Sequence, residues 1–286
     1  MDLIKQLALI LTYPEHHISN DEVLNPVSTF SRSFMAIKRS HLSGDACHKM
    51  CLLRDFKEAI WRPEFQDLEQ KDVHEFLTSV LEQIRYLSHD LKVKAASMGT
   101  IYSCPVENNM VFKMANTRTC KGCGAGSTRV EEYTNLSLDM MPGGGNVEQL
   151  LKDYMMEKEL EYNCLCGCTQ FLTMPKVLLL HLKHFKVTPS YNLEKVNDPV
   201  NLLRDLIVSS NETACCYSFI STINHMGSST QRGHYNCDGV DPDVGLEDPT
   251  DCWFTYDDSR VRETSGDYVC DRRKETAYIL SYRRQD

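Results

Sequence analysis

The sequence contains no run of apolar residues that could cross a membrane and no excess of basic residues. A membrane-spanning helix needs about 20 apolar residues, and residues 3–11 are interrupted by Lys5 and Gln6. This stretch also lacks the basic leader and the small-residue cleavage site of a signal peptide. The formal net charge is −9, which argues against binding to a nucleic-acid backbone. We therefore expect neither a membrane nor a nucleic acid as a partner.

Internal repeats and low-complexity segments are also absent, which excludes repeat architectures. The 13 cysteines cannot all pair in internal disulfides because their number is odd. Some of them are spaced like metal ligands, which fits a reducing compartment, so we expect the protein in the cytoplasm, the nucleus or both. The length of 286 residues allows one large domain or two smaller ones.

Apolar residues recur at helical spacing in the first third of the chain, at residues 3–10, 52–60 and 73–87. From about residue 102 the pattern becomes typical of strands. Strands are predicted at 111–114, 130–138, 177–182, 217–223 and 277–282, with a turn at 142–145. The run at 177–182 is almost entirely apolar, which is typical of a strand covered on both faces. Helices followed by strands predict an α+β protein.

Two groups of cysteines have the spacing of a metal site. Cys120 and Cys123 are separated by two residues, so both thiolates could bind one tetrahedral ion. The second group is Cys164, Cys166 and Cys168. We expect a structural zinc held by Cys120, Cys123, Cys164 and Cys168, with Cys166 an open alternative for the fourth ligand. The other interpretation is a set of free, partly buried thiols.

Residues 70–76 read Gln-Lys-Asp-Val-His-Glu-Phe and open the best predicted helix. The pair His74-Glu75 resembles a zinc-protease motif, but that motif needs a second histidine one turn later, where this chain has Thr78. A metalloprotease is therefore excluded. The simpler interpretation is a solvated helix start whose acidic residues are favoured by the helix dipole.

The C-terminal part places a histidine and a carboxylate on two successive predicted strands. Residues 232–235 read Arg-Gly-His-Tyr, and residues 253–258 read Trp-Phe-Thr-Tyr-Asp-Asp. A carboxylate that orients an imidazole is the usual way to activate a thiol or hydroxyl nucleophile. The alternative is a structural strand histidine, which is how we interpret His181 and His225. No good nucleophile accompanies the pair.

Four separated segments together resemble the ubiquitin-specific protease family (peptidase C19). They are residues 70–76, the cysteine groups, residues 174–185, and the C-terminal strands with Gly-His-Tyr at 233–235. Residues 102–106 and 253–258 are similar to the branch that contains ubiquitin carboxyl-terminal hydrolase 37. The resemblance covers almost the whole chain, in the family's order.

The resemblance implies an α+β, papain-like cysteine protease fold with a helical thumb, a β-rich palm and zinc-finger-like fingers. Residues 1–286 would form one catalytic domain, with the thumb at 1–100, the fingers at 101–176 and the palm at 177–286. The implied activity is thiol-dependent hydrolysis of the isopeptide bond after ubiquitin's C-terminal glycine. The implied partner is ubiquitin or a ubiquitinated protein, and the implied zinc is structural rather than catalytic.

The resemblance also assigns roles to single residues. His234 matches the general base and Asp257 the residue that orients it, with Asp258 a weaker candidate. Asp72 matches an acidic position that faces ubiquitin's basic tail, and Gly233 leaves room for the narrow Gly-Gly end of that tail. The expected ubiquitin-binding residues are Asp72, Glu75, Gly233 and Tyr235.

The family's nucleophile lies in a Gly-Asn-Thr-Cys-Tyr-Met-Asn box, which this sequence does not contain. Residues 1–7 resemble the family's segment immediately after that cysteine, so the nucleophile would fall just before Met1. Cys47 lies in a superficially similar segment, but that segment follows the helix at residues 1–7, whereas the family's nucleophile precedes this helix. We therefore interpret Cys47 as a loop or helix-start thiol. We expect no ubiquitin cleavage by this chain. The alternatives are a non-catalytic ubiquitin-binding pseudoenzyme or scaffold, and a zinc-stapled interaction domain without a ubiquitin role.

Overall fold

The structure of the chain is a computed structural model that describes most of the sequence. The described residues are 29–40, 45–65, 70–156, 158–159, 165–187, 191, 193–210, 213–227, 229, 232–241, 251–258 and 260–285. The chain divides into two compact units. The first comprises Met1–Asn108 with Tyr256–Val261, and the second comprises Asn109–Thr255 with Arg262–Asp286.

Helices dominate the first unit, and two shorter helices lie among the strands of the second. The α-helices are α1 (Thr29–Arg39), α2 (Ala46–Glu58), α3 (Val73–Ser97), α4 (Pro105–Asn109), α5 (Val147–Met155) and α6 (Gly266–Arg272), and Pro63–Phe65 form one 3-10 turn. The predicted helices at 52–60 and 73–87 are confirmed, whereas residues 3–10 lie outside the described residues. No helix in the described ranges is long and apolar enough to span a bilayer.

Aspartates begin the two main helices of the first unit. The Asp45 carboxylate accepts the backbone N–H of His48 at 2.9 Å and caps α2. The Asp72 carboxylate accepts the N–H groups of His74 and Glu75 at 2.8 and 3.0 Å and caps α3. These carboxylates satisfy amides that have no partner within the helix. The apolar stripe of α3 is buried, as its spacing predicts.

Strands make up most of the second unit. The strands are β1 (Phe112–Cys120), β2 (Gly126–Tyr133), β3 (Leu136–Asp139), β4 (Gly145–Asn146), β5 (Lys158–Glu159), β6 (Leu165–Phe171), β7 (Val177–Lys183), β8 (Phe185–Val187), β9 (Leu193–Lys195), β10 (Val200–Asn201), β11 (Asp205–Ser209), β12 (Ala214–Met226), β13 (His234–Val240), β14 (Trp253–Asp257), β15 (Arg260–Thr264) and β16 (Ala277–Arg284). The largest sheet has the order β15-β14-β13-β12-β16-β7-β3, with β11 paired to β12. A second sheet has the order β2-β1-β6-β5.

The central strands of the large sheet carry the core. β16 pairs antiparallel with both β12 and β7, and β3 pairs parallel with β7. Leu178, Leu180 and Leu182 on β7 are fully buried, which confirms that this strand is covered. The ring of Phe219 lies 5.3 Å from Trp253 and 5.2 Å from Tyr282, measured between centroids. These large buried side chains supply much of the hydrophobic stabilisation of the unit.

The prediction of one strand over residues 130–138 is wrong. The segment forms β2 and β3, which are separated at Thr134 and Asn135 and belong to different sheets. Val130 on β2 is exposed, whereas Leu136 and Leu138 on β3 are buried beside β7. The break therefore occurs where the chain leaves a solvated sheet and enters the core. Helices α1, α4, α5 and α6 were not expected from the sequence.

His184 is buried between β7 and β8, and both its ring nitrogens face backbone carbonyls. Nδ1 lies 2.8 Å from the Val196 oxygen, and Nε2 lies 2.6 Å from the Ala277 oxygen. Burial lowers the pKa of His184 below its usual value, although the two carbonyls favour the charged ring, and Lys195 lowers the pKa further. The folded protein therefore binds a proton at this ring less readily than the unfolded chain does.

This pKa shift predicts a loss of stability in acid. The contribution of His184 is fully present above the usual imidazole pKa of about 6.5 and is lost as the pH falls toward the lower folded value. Denaturant unfolding between pH 7.5 and 5.5 measures this slope. The slope should be smaller in His184→Asn than in the unmodified chain, and the exposed His89→Asn should keep it. Equal slopes in all three proteins would contradict the assignment.

Candidate functional site

The predicted base, His234, is the first residue of β13, directly after the turn that leaves β12. The two strands pair antiparallel, with Met226 opposite His234 and His225 opposite Tyr235. The ends of the two strands are close together, because a Cβ atom added to Gly227 would lie 2.8 Å from both the Arg232 oxygen and the Gly233 Cα. Gly227 also has a φ of +151°, which side chains rarely allow. The position of the His234 backbone is therefore closely determined by the hairpin.

A buried carboxylate lies four residues further along the same strand. Asp238 has an exposed fraction of 0%. Its oxygens accept hydrogen bonds from Arg273 Nε at 2.7 Å and Arg273 Nη2 at 3.1 Å. Asn224 Nδ2 donates to it at 2.7 Å, and the Thr255 hydroxyl donates to it as well. Four donors from three other segments thus compensate the charge, as a buried carboxylate requires.

Two asparagines extend this network toward His234. Asn224 Nδ2 also donates to Asn236 Oδ1 at 2.9 Å. The side chains of a strand alternate between its faces, so Asn236 and Asp238 share one face of β13 with His234. Sequence reasoning missed these residues. The alternation of polar residues at 234, 236 and 238 was the available signal.

The predicted carboxylate partner ends the neighbouring strand. β14 lies beside β13 in the sheet and terminates at Asp257. Two contacts define how these strands align: the Asp241 amide donates to the Cys252 oxygen at 3.0 Å, and Thr255 bonds to Asp238. Asp258 follows with a φ of +50°, as a residue in a tight turn does.

The remaining predicted ubiquitin-binding residues fall in both units. In the first unit Asp72 caps α3, and Glu75 is exposed in the first turn of that helix. In the second unit Gly233 is exposed just before His234. The Tyr235 ring packs 4.8 Å from the His225 ring, measured between centroids. His225 is buried, in agreement with its interpretation as a structural histidine.

The first predicted pair of zinc ligands lies at a knuckle between β1 and β2. The Cys120 amide donates to the Ala125 oxygen, and the Gly124 amide donates to the Cys120 oxygen, both at 2.8 Å. Gly124 has a φ of +74°. This turn can direct two thiolates at one ion, as zinc knuckles do. Cys120 and Cys123 therefore fit half of a zinc site.

The second pair is not brought to this knuckle among the described residues. Cys120 is opposite Leu165 and Thr117 is opposite Cys168, so the pleat directs Cys168 away from the face of Cys120. No three cysteine sulfurs of the described residues lie within 4.8 Å of one another. Cys166 is buried and its sulfur lies 3.5 Å from the Thr119 oxygen. Cys164 lies outside the described residues, so the four-cysteine site stays a prediction.

Cys47 is the cysteine that was weighed against the family's nucleophile. It lies in the first turn of α2, whose cap is Asp45, and it is exposed. This agrees with the interpretation of Cys47 as a helix-start thiol.

Comparisons with known proteins give one family. The sequence model described as ubiquitin carboxyl-terminal hydrolase matches residues 2–282. Ubiquitin carboxyl-terminal hydrolase 37 of Canis lupus familiaris is 30% identical over an aligned length of 220 residues, and the match covers 66% of this chain and 22% of the relative. The Homo sapiens protein of the same name is 28% identical over 219 residues, with the same coverage. The chain thus spans about a fifth of the length of these relatives.

Solved structures show the same fold at low identity. The Ubp8-Sgf11-Sgf73-Sus1 SAGA DUB module has a TM-score of 0.77 and 21% identity, covering 98% of this chain and 64% of that chain. The SAGA Ubp8/Sgf11/Sus1/Sgf73 DUB module bound to ubiquitin aldehyde has a TM-score of 0.75 and 19% identity, with coverages of 93% and 62%. The predicted α+β, papain-like fold is confirmed.

The buried network predicts that an arginine substitution and a lysine substitution change the free energy of unfolding by very different amounts. Arg273→Met should lower the free energy of unfolding by about 3–5 kcal/mol, because it leaves the Asp238 charge buried without its main partner. The control is Lys183→Met, whose exposed pair with Asp139 should be worth at most about 1 kcal/mol. Denaturant unfolding measures both. Similar small losses in the two variants would show that Asp238 does not depend on Arg273.

Proposed function

Because the chain belongs to the ubiquitin carboxyl-terminal hydrolase family, we propose that it binds ubiquitin through the histidine and carboxylate site of that family. The family and the branch that contains ubiquitin carboxyl-terminal hydrolase 37 were both expected from the sequence, and both are confirmed. The observation that carries the proposal is the position of His234 at the head of β13, with β14 as the next strand of the sheet.

The alignment of these strands supports Asp257 as the orienting residue. Thr255 is across from Asp238 and Cys252 is across from Asp241. We infer that the same register, extended by two residues, brings Asp257 across from Asn236, on the face of the sheet that carries His234. From there its carboxylate holds the imidazole in one tautomer, and the other ring nitrogen is the atom that accepts a proton from the nucleophile.

The family reaction then follows from ordinary thiol chemistry. His234 accepts the proton of a thiol, and the thiolate attacks the carbonyl of ubiquitin's C-terminal glycine. The leaving amine takes that proton as the isopeptide bond breaks, and water hydrolyses the thioester. The 286 residues contain no cysteine in the family's nucleophile motif. We therefore infer that they bind ubiquitin or a ubiquitinated protein without cleaving it, which is also what a pseudoenzyme or scaffold would do.

A ubiquitin titration with two matched variants tests binding. Asp72 and Asp45 both cap helices of the first unit, and asparagine caps nearly as well as aspartate. Asp72→Asn therefore removes a charge with little loss of stability. We expect this substitution to weaken ubiquitin binding several-fold, because in the proposed complex the Asp72 carboxylate faces ubiquitin's basic tail. Asp45→Asn should leave the affinity unchanged. Calorimetry or fluorescence anisotropy gives the dissociation constants.

Two results would contradict this proposal. The first is no measurable binding of ubiquitin by the unmodified chain, which would favour an interaction domain with no ubiquitin role. The second is equal weakening by both variants. Release of a fluorophore from ubiquitin's C-terminus by the purified chain would refute the inference that it does not cleave, and loss of that release in His234→Ala would identify a hydrolase.

We also propose a structural zinc at the Cys120–Cys123 knuckle with Cys164 as a further ligand, whereas the strand register directs Cys168 away from the face of Cys120. Metal analysis of the purified chain should give about one zinc per molecule, and Cys120→Ser should remove it. Cys216→Ser is the control, since Cys216 is exposed on β12. Zinc retained in Cys168→Ser would exclude Cys168 as a ligand, and no zinc in the unmodified chain would contradict the site.

A reducing compartment, the cytoplasm or the nucleus, is part of the same proposal. Among the described residues, free thiols include those of Cys47, Cys51, Cys104, Cys123, Cys168, Cys215, Cys216 and Cys270. Thiols at this density persist in the reduced state where glutathione and thioredoxin maintain them.

A further inference from the structure

We propose that His225 is a positioning residue for His234, and that its ring explains why the residue before His234 is glycine. The proposal rests on the proposed function in one respect, which is that His234 acts as the base. His225 is across from Tyr235 in the β12–β13 pair, so its side chain lies on the face of the hairpin opposite to Asn236 and Asp238.

The His225 ring is held from several sides. The residue is 1% exposed. Its ring centroid lies 4.8 Å from Tyr235, 5.7 Å from Phe185 and 6.2 Å from Tyr278. Its backbone N–H donates to the Thr276 oxygen at 2.8 Å. A ring packed among three aromatic side chains cannot move aside without opening a cavity in this cluster.

Lys195 fixes the backbone on both sides of Met226. Its Nζ donates to the His225 oxygen at 3.2 Å and to the Gly227 oxygen at 2.6 Å. Burial lowers the pKa of Lys195, in keeping with an ammonium group that has exchanged water for carbonyls. The end of β12 is therefore anchored next to the turn that leads to His234.

Gly233 rests directly against the edge of this ring. A Cβ atom added there would overlap His225 Nε2 and would lie 2.9 Å from His225 Cδ2 and 2.8 Å from the Met226 oxygen. Gly233 is not among the described glycines with positive φ, so glycine is required here for space and not for conformation. Any side chain would displace either the ring or the start of β13, and with it His234.

This explanation differs from the expectation that Gly233 makes room for ubiquitin's tail. If the tail explains the glycine, substitution changes ubiquitin binding and leaves the free protein as it was. If His225 explains the glycine, substitution strains the free protein, and removal of the ring relieves part of the strain. A double-mutant cycle on Gly233→Ala and His225→Ala separates the two.

The experiment measures the thermal midpoint without ubiquitin, the NMR signals of the His234 ring and the affinity for ubiquitin. We expect Gly233→Ala to lower the midpoint by roughly 5 °C and to shift the His234 signals. In the His225→Ala background the same substitution should cost less than half as much, with the remainder due to the Met226 oxygen, and the His234 signals should move less. Gly126→Ala is the control, because a Cβ there makes only ordinary contacts of 3.6 Å or more.

The proposal is overturned if Gly233→Ala leaves the midpoint and the His234 signals unchanged, whether or not ubiquitin affinity falls. It is also overturned if Gly233→Ala costs the same with and without the His225 ring. Absence of ubiquitin binding in every protein would refute the proposed function alone, since the midpoint and the NMR signals are measured on the free chain.

Discussion

The arrangement of the site depends on a negative charge that has no access to solvent. A buried carboxylate is tolerated only where hydrogen-bond donors surround it. The donors to Asp238 come from β12, from β14 and from Arg273, which directly follows α6. The strands cannot slide by one residue without breaking this set. A slip would also exchange the two faces of β13. The register of the hairpin that carries His234 is therefore determined by an interaction four residues away.

The two faces of this hairpin are built differently. One face carries the hydrogen-bonded row of Asn224, Asn236 and Asp238. The other carries the aromatic cluster around His225 and Tyr278. Hydrogen bonds define direction and close packing resists displacement, so together they leave the first residue of β13 few alternative positions. A general base needs this restriction, because proton transfer requires its ring nitrogen within hydrogen-bond reach of the nucleophile.

Much of the fold was predictable because it depends on local patterns. The apolar stripe of α3 and the continuous apolar run of β7 each follow from spacing alone. The break between β2 and β3 was not predictable in this way, because it depends on which sheet each half joins. The pairing of Asp238 with Arg273 joins residues 35 positions apart, which no local pattern contains. The direction of Cys168 follows from strand register, and spacing between cysteines carries no information about it.

The motif at His234 was recognised from residue types and order, whereas its supports were not. His225 and Gly233 are close because β12 and β13 pair, and the reason for the glycine is visible only once the ring beside it is placed. From the sequence alone, Gly233 was interpreted as making room for the Gly-Gly end of ubiquitin's tail. A glycine required by packing within the protein and a glycine required by a ligand look identical in a sequence. The three-dimensional structure distinguishes the two cases.

The proposed chemistry of this site requires that Asp257 orient the His234 ring as a base. The most direct measurement is a long-range proton–nitrogen NMR spectrum of the His234 ring in the free chain and in Asp257→Ala. An imidazole oriented by Asp257 should show a single tautomer with the proton on Nδ1 in the unmodified chain and a mixture of tautomers in the variant. A His234 spectrum that is the same in both proteins would contradict this role of Asp257.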